Sequence, residues 1–187
     1  RGGLVDFGGA GAGQAGEKRL SATQHRFCRY MSKQAVTFGA HTDTTFVTLI
    51  PCSNIPGLEV FSPALDGWVR PEPACRPGRD IIILPGELLQ VLSAGHYPAA
   101  VHRVVSVGGG TARVSAPLLV RPNPSAAVNA EAWLCPGGGN GDGEGRGEGA
   151  APPPPPPPVA ERLRALDGMN MRDLHQHLVD AFRDMEA

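Results

Sequence analysis

The sequence predicts an all-β sandwich or barrel followed by a helical segment. Between residues 18 and 124, short apolar or alternating runs rich in Val, Ile, Leu and Thr are separated by turn residues. The turns recur at roughly ten-residue intervals, which is typical of antiparallel all-β domains and not of strands that alternate with helices. Near the end of the chain, apolar residues recur instead at the three- and four-residue spacing of an amphipathic helix.

Each apolar run of the β-rich region is expected to form part of the sandwich, with Gly, Pro, Asn and Asp marking the turns between runs. In chain order the runs are Phe27–Met31, Ala35–Ala40, Phe46–Ile50, Leu58–Phe61, Trp68–Arg70, Asp80–Leu84, Leu88–Leu92, Ala100–Val107 and Ala112–Val120. In the helical segment, Asn170 is expected to be the N-cap, with Asp173 three residues later to complete the cap.

These features divide the chain into four parts. Residues 1–17 are expected to be a flexible Gly-rich segment, 18–124 the β-domain, 125–158 a Gly/Pro-rich linker or insertion, and 159–187 a C-terminal helical segment. The proline run Pro152–Pro158 is expected to form a stiff polyproline II rod. Such a rod acts as a spacer, or docks onto a partner of the SH3 or WW type.

Composition excludes some classes of partner. The formal net charge is −1 with a pI of about 6.6 and no basic run, so we expect no nucleic-acid partner and no binding to an anionic membrane. No apolar run approaches the ~18 residues of a membrane span. The four cysteines form no C-x-x-C pair and are expected to be thiols in a reducing compartment. We therefore expect an intracellular, cytoplasmic protein, with an organelle left open.

Two histidines and one aspartate form a candidate metal site. Side chains two residues apart point to the same side of an extended strand, so His41 and Asp43 can reach one ion. His102 stands in a later apolar run. Two imidazoles and a carboxylate can occupy one face of an octahedron and leave three positions open, which is the arrangement of non-haem Fe(II) oxygenases.

Arg113 and Ser115 form a candidate anion site. They are also two residues apart in a β-like run, so we expect them to share a face. A guanidinium can hold a carboxylate with two hydrogen bonds, and a hydroxyl can add a third. Because a buried unpaired arginine is costly, we expect an anion beside Arg113, and 2-oxoglutarate would supply one.

The motifs and their order resemble the plant-type 2-oxoglutarate/Fe(II)-dependent dioxygenase superfamily, which includes isopenicillin N synthase. The resemblance covers about residues 26–124. The matching stretches are His41-Thr42-Asp43 with the apolar run after it, Pro56-Gly57-Leu58-Glu59-Val60, Pro85 to Gly95, Val101-His102-Arg103-Val104-Val105 and Arg113-x-Ser115. Three stretches depart from the pattern: Cys28-Arg29-Tyr30 replaces the family's Asn-Tyr-Tyr, Gly86-Glu87 replaces its Gly-Asp, and a glycine triplet, Gly108–Gly110, precedes Arg113-x-Ser115.

The resemblance implies a double-stranded β-helix, or jelly roll, with Fe(II) bound by the two histidines and the aspartate named above. Arg113 and Ser115 would bind the C5 carboxylate of 2-oxoglutarate, and Tyr30 falls where the family often has a tyrosine that contacts this cosubstrate. The implied activity uses O2 to oxidise a C–H bond of a small-molecule substrate, chiefly by hydroxylation, and releases succinate and CO2. Phe38, Thr44 and Phe46 are expected either to face the substrate or to pack within their strand.

Other interpretations stay open. Desaturation or ring closure could replace hydroxylation, and an oxidase of the same fold that does not consume 2-oxoglutarate could retain Arg-x-Ser. A non-catalytic jelly-roll binding domain would instead have a decayed site that fails to hold Fe(II). A scaffold role would depend on the proline run and not on the metal site.

Overall fold

The computed structural model describes residues 21–31, 35–106, 112–130 and 157–185 of the chain. The chain divides into two compact units, one over Thr23–Arg121 and another that contains the helices after Pro122. The Gly-rich segment 1–17 and residues 131–156, with most of the proline run, lie outside the described residues. Within the described ranges, no helix has both the length and the apolar character that crossing a membrane requires.

The first unit is built from antiparallel strands. In chain order these are β1 (Gln24–His25), β2 (Cys28–Tyr30), β3 (Val36–His41), β4 (Val47–Pro51), β5 (Leu58–Ser62), β6 (Gly67–Val69), β7 (Ile81–Pro85), β8 (His102–Val105), β9 (Arg113–Ser115) and β10 (Leu118–Val120). They form one sheet of order β1-β10-β4-β7, a second of order β3-β8-β5-β6 and the pair β2-β9. The chain crosses repeatedly between the two larger sheets, as in a jelly roll. The expected fold class is confirmed.

Alternating burial explains why these segments are strands. Ile82 and Leu84 of β7 are buried, whereas Ile81 and Ile83, which alternate with them, are more than half exposed. The inward side chains pack with Ile50 of β4 and with Leu58 of β5 in one apolar cluster. Successive side chains of a strand point to opposite faces, so every second residue of a run reaches this core.

One expected β-like run is a helix. Leu88–Leu92 lies in helix α1 (Glu87–Leu92), which follows β7 directly. Leu88 and Leu92 are four residues apart and are both 1% exposed, so they share the buried face of a helical turn. Five apolar-rich residues fit either a strand or a helix by pattern alone, and the strand interpretation was wrong here.

The second unit contains helix α2 (Pro157–Arg164) and helix α3 (Met171–Met185). Helix α2 therefore begins two residues before the expected boundary at 159, with the last two prolines of the run in its first turn. Proline is tolerated in the first turn of a helix, because backbone N–H groups there have no intrahelical acceptor. A polyproline II rod over the whole of Pro152–Pro158 is thus contradicted for Pro157 and Pro158.

Part of the expected linker is ordered against the start of helix α3. Ala127 forms a β-bridge with Asn170, and the Val128 N–H donates to the Met169 carbonyl at 2.9 Å. Val128 and Met171 are each 2% exposed. The Asp173 N–H donates to Asn170 Oδ1 at 2.9 Å, which confirms Asn170 as the N-cap.

Candidate metal centre and anion pocket

The metal candidates meet where β3 and β8 pair. His41 ends β3, Asp43 follows it, and His102 begins β8 directly opposite His41 in the antiparallel register. His41 Nε2 lies 3.7 Å from Asp43 Oδ1, and His102 Nε2 lies 3.8 Å from Asp43 Oδ2. One ligand atom from each residue lies within 4.8 Å of the other two, which is close enough for all three to share an ion. The structure thus brings the three residues together.

Backbone carbonyls orient both imidazole rings. His41 Nδ1 lies 2.8 Å from the Gly39 carbonyl oxygen, and His102 Nδ1 lies 3.0 Å from that of Ala100. A carbonyl oxygen only accepts, so each Nδ1 carries the proton and donates it. The lone pair of each Nε2 then faces the cluster, as a metal ligand requires. Burial lowers the pKa of His102, which favours the neutral ring that binds metal.

Hydrogen bonds also hold the carboxylate end of the site. Thr48 Oγ1 donates to Asp43 Oδ2 at 2.6 Å, and Thr48 is 1% exposed. The backbone of Asp43 is fixed as well, because its carbonyl accepts the N–H of Glu87 at 2.9 Å. Glu87 stands where the resemblance places aspartate, and one of its carboxylate oxygens accepts the hydroxyl of Thr42. Burial raises the pKa of Glu87.

The candidate anion-binding residues lie on two paired strands, with Tyr30 on β2 and with Arg113 and Ser115 on β9. Arg113 pairs with Tyr30 in the register, and its guanidinium carbon lies 5.5 Å from the centre of the Tyr30 ring. Arg113 and Ser115 are buried while Val114 between them is 57% exposed, so the expected shared face of Arg113 and Ser115 is present. Burial and a hydrogen bond with Cys28 raise the pKa of Tyr30 to about 12, so its hydroxyl keeps its proton at neutral pH.

Arg113 has a protein partner that the sequence argument did not anticipate. Its Nη2 donates to Glu72 Oε1 at 2.7 Å, and both side chains are almost fully buried. The anion that we expected beside Arg113 is therefore present, and it is a protein carboxylate, that of Glu72. Arg113 Nε, however, is buried without a hydrogen-bond partner, so the guanidinium retains donor capacity.

One cavity joins the two groups of residues. Its polar wall holds the candidate metal ligands, the candidate anion site and two further side chains, Arg26 and Thr48. The polar and apolar lining residues together are Arg26, Cys28, Tyr30, Phe38, His41, Asp43, Thr48, Ile50, Leu58, His102, Val104, Arg113, Ser115, Pro117 and Leu119. Of the three residues expected either to face the substrate or to pack within their strand, Phe38 lines this cavity, whereas Thr44 and Phe46 are not among the lining residues.

Sequence reasoning missed three residues of this site. Thr48 could have been found, because it alternates with the buried Ile50 on β4 and so points inward with it. Arg26 and Glu72 carried no such signal. Glu72 belongs to a three-residue 3₁₀ turn, Glu72–Ala74, and meets Arg113 only through the tertiary fold.

The chain belongs to the 2OG-Fe(II) oxygenase superfamily, whose sequence profile matches residues 19–122. This membership confirms the resemblance, and it makes Fe(II) and 2-oxoglutarate the cofactor and cosubstrate of its family. The His-x-Asp and His motifs of the site lie within the matched region.

Several curated plant proteins are similar to this chain. It is 32% identical over 113 residues to feruloyl CoA ortho-hydroxylase F6H1-1 of Ipomoea batatas, a match that covers 60% of this chain and 30% of the relative. It is 42% identical over 71 residues to gibberellin 3-beta-dioxygenase 4 of Arabidopsis thaliana, covering 38% of this chain and 19% of the relative. The matches therefore span less than a third of these relatives.

Solved structures of two dioxygenases also match part of this chain. A rice dioxygenase for auxin oxidation matches with 27% identity and a TM-score of 0.47, over 55% of this chain and 36% of that chain. The dioxygenase for auxin oxidation 1 of Arabidopsis thaliana, solved in a binary complex with 2-oxoglutarate, matches with 23% identity and a TM-score of 0.46, over 54% of this chain and 38% of that chain.

Proposed function

We propose that residues 18–124 are the catalytic core of a 2-oxoglutarate- and Fe(II)-dependent dioxygenase that oxidises a C–H bond of a small molecule. Hydroxylation is the favoured outcome, with release of succinate and CO2. The observation that carries the proposal is the convergence of His41, Asp43 and His102 in the wall of the cavity that Arg113 also lines. A metal-binding end and an anion-binding end in one cavity suit a ligand that chelates iron and carries a distant carboxylate.

The residues present fit such an iron ion. The two Nε2 atoms face Asp43 because each Nδ1 is tied to a carbonyl, and a neutral His102 is the form that binds metal. Iron(II) held there would supply the activation of O2 for the oxidation. Thr48 would keep Asp43 in its ligating orientation by donating to Oδ2.

The rest of the cavity would bind and orient 2-oxoglutarate. Arg113 and Ser115 would donate hydrogen bonds to the C5 carboxylate, and the protonated Tyr30 hydroxyl offers a further donor beside them. Ile50, Leu58, Val104 and Leu119 on the same lining would exclude water, which strengthens each of these hydrogen bonds.

The substrate class rests on the relatives. The names of two of them specify feruloyl CoA and gibberellin. We therefore propose an organic small molecule as substrate, and an enzyme that acts on neither nucleic acid nor membrane. We also propose that any SH3- or WW-type contact through the proline run is separate from the chemistry.

A second candidate is an oxidase of the same fold that does not consume 2-oxoglutarate. It is favoured by the ion pair between Arg113 and Glu72, because an arginine that already has a buried carboxylate has less need of a second anion. One relative, with 38% identity over 88 residues, is a 1-aminocyclopropane-1-carboxylate oxidase homologue of Arabidopsis thaliana.

An anaerobic titration of the whole chain separates these functions. Fe(II) and then 2-oxoglutarate are added, and the visible metal-to-ligand charge-transfer band is followed; Asp43→Ala is the matched variant. The dioxygenase predicts a saturable band in wild type, no band in Asp43→Ala, and succinate formed from 2-oxoglutarate on admission of O2. Fe(II) binding without any 2-oxoglutarate band points to the oxidase. A chain that binds neither Fe(II) nor Mn(II) at micromolar levels would falsify both.

A further inference from the structure

The buried carboxylate of Glu72 accepts hydrogen bonds from three protein donors. Its Oε2 accepts the backbone N–H groups of Gly57 at 2.5 Å and Leu58 at 2.9 Å, and its Oε1 accepts Arg113 Nη2 at 2.7 Å. The Glu72 side chain is 1% exposed and that of Arg113 is 5% exposed. A buried carboxylate in this position is stabilised by its three donors, and loss of those donors would leave a buried charge without partners, which is costly.

The stem of Arg113 is fixed at the same point. A Cβ added to Gly57 would lie 2.8 Å from Arg113 Cδ and 2.8 Å from the Val105 carbonyl oxygen, so the arginine runs directly across the glycine. The turn at Gly57 thus contacts the aliphatic part of the Arg113 side chain, and the Gly57 N–H donates to Glu72, the acid that binds the Arg113 guanidinium. The guanidinium nevertheless keeps a buried Nε with no acceptor, on a residue that lines the cavity.

We propose that Glu72 is a positioning residue that holds Arg113 and moderates its affinity for the C5 carboxylate of 2-oxoglutarate. The inference rests on the proposed function. In the ligand-free protein, Glu72 balances a buried positive charge that would otherwise be unpaired. When 2-oxoglutarate binds, two carboxylates share one guanidinium, so the second is held less tightly than it would be by an unpaired arginine.

A charge-neutral variant should therefore bind 2-oxoglutarate more tightly. Glu72→Gln keeps the shape of the side chain but removes the competing charge. We expect the 2-oxoglutarate dissociation constant to fall about tenfold, the lower end of the range for a hydrogen bond to a charged group. Glu72→Asp is the matched control, because it keeps the negative charge and should not tighten binding.

The ligand 2-oxobutyrate distinguishes this role from a general effect on the fold. It has the same iron-chelating 2-oxo acid group but no C5 carboxylate, so its dissociation constant should change less than twofold between wild type and Glu72→Gln. A residue that merely supports the fold would instead weaken both ligands, and would weaken Mn(II) binding with them. All constants are measured anaerobically from the Fe(II) charge-transfer band of the whole chain.

A measurement on the wild-type protein covers the case in which Glu72→Gln does not fold. Because Glu72 already balances Arg113, wild type should prefer 2-oxoglutarate over its C5 monomethyl ester by about tenfold or less. A preference clearly above about tenfold would overturn the inference. Equal or weaker 2-oxoglutarate binding by folded Glu72→Gln would also overturn it and leave the proposed function standing. The absence of a band in wild type would overturn both.

Discussion

Thr48→Val removes the hydrogen bond to Asp43, which supplies the only carboxylate of the candidate metal site among the described residues. It also removes the 3.1 Å contact between the Thr48 and Thr45 hydroxyls. Valine has nearly the volume of threonine, and Thr48 is 1% exposed, so the substitution removes a hydroxyl without creating a cavity. The lost bond, from Oγ1 to Asp43 Oδ2, is 2.6 Å long and ends on a charged acceptor. Such bonds contribute about 1.5–3 kcal/mol, which corresponds to about a tenfold to hundredfold change in an equilibrium constant.

We expect that loss to appear in metal affinity. Without the hydroxyl, the Asp43 carboxylate can turn away from the two imidazoles, and partners that orient metal ligands typically contribute about 10–100-fold to affinity. The assay is an anaerobic calorimetric titration with Mn(II) or Co(II), which avoids oxidation of Fe(II). The expected result is a dissociation constant at least about tenfold above that of wild type, with an unchanged circular dichroism spectrum.

Thr37→Val is the matched control. Thr37 Oγ1 donates to the Val104 carbonyl at 3.1 Å on the same β3–β8 pair but does not touch Asp43. It should lose some stability and keep its metal affinity. If Thr48→Val and Thr37→Val bind metal equally well, then Asp43 is either not a ligand or is not oriented by Thr48, and the reasoning is refuted.

Three further changes test the fold. Gly86→Ala puts a Cβ into the backbone of Thr45 and should lower the free energy of unfolding by about 1–3 kcal/mol, whereas Gly39→Ala has no atom within 4 Å and should not; urea titration compares them. Burial would raise the pKa of Glu59, but hydrogen bonds from Arg103 and Arg70 outweigh it and lower the pKa below the ordinary value of 4.5. The stability lost in Glu59→Gln should therefore be largest above about pH 5 and shrink as the pH falls below 4.5, and equal losses at both would contradict this. Asn170→Ala removes the N-cap of α3 and should lower the free energy of unfolding by about 1 kcal/mol. Thermal unfolding followed by the helical circular dichroism signal should show a lower melting temperature.

The metal motif could be predicted from sequence because much of its geometry is local. His41 and Asp43 are two residues apart at the end of a strand, and that spacing already allows them to reach one ion. The same alternation correctly put Arg113 and Ser115 on the buried face of β9. In both cases the periodicity of a single strand was sufficient, and no knowledge of its neighbours was needed.

Long-range partners could not be predicted in this way. Glu72 is 41 residues from Arg113 in sequence and meets it only because the 3₁₀ turn packs beneath the loop at Gly57. The charge argument correctly required an anion beside Arg113, but it could not tell a ligand carboxylate from a protein one. Helix α1 was missed for a related reason, since the face that Leu88 and Leu92 bury depends on the rest of the core.

The register between β3 and β8 places the two histidines directly opposite each other. Val36 pairs with Val105, Phe38 with Val104 and His41 with His102, so the register shifts twice along β3. Without these two irregularities, Gly39 would face His102, and His41 would lie opposite Ala100. Bulges of this kind re-aim side chains and are common beside active sites. In a regular ladder His41 would be only a diagonal neighbour of His102 on the same face, and the two shifts bring the residues directly opposite each other. The spacing of His41 and Asp43 is thus a local property of one strand, whereas the direct pairing of the two histidines is a property of the β3–β8 ladder.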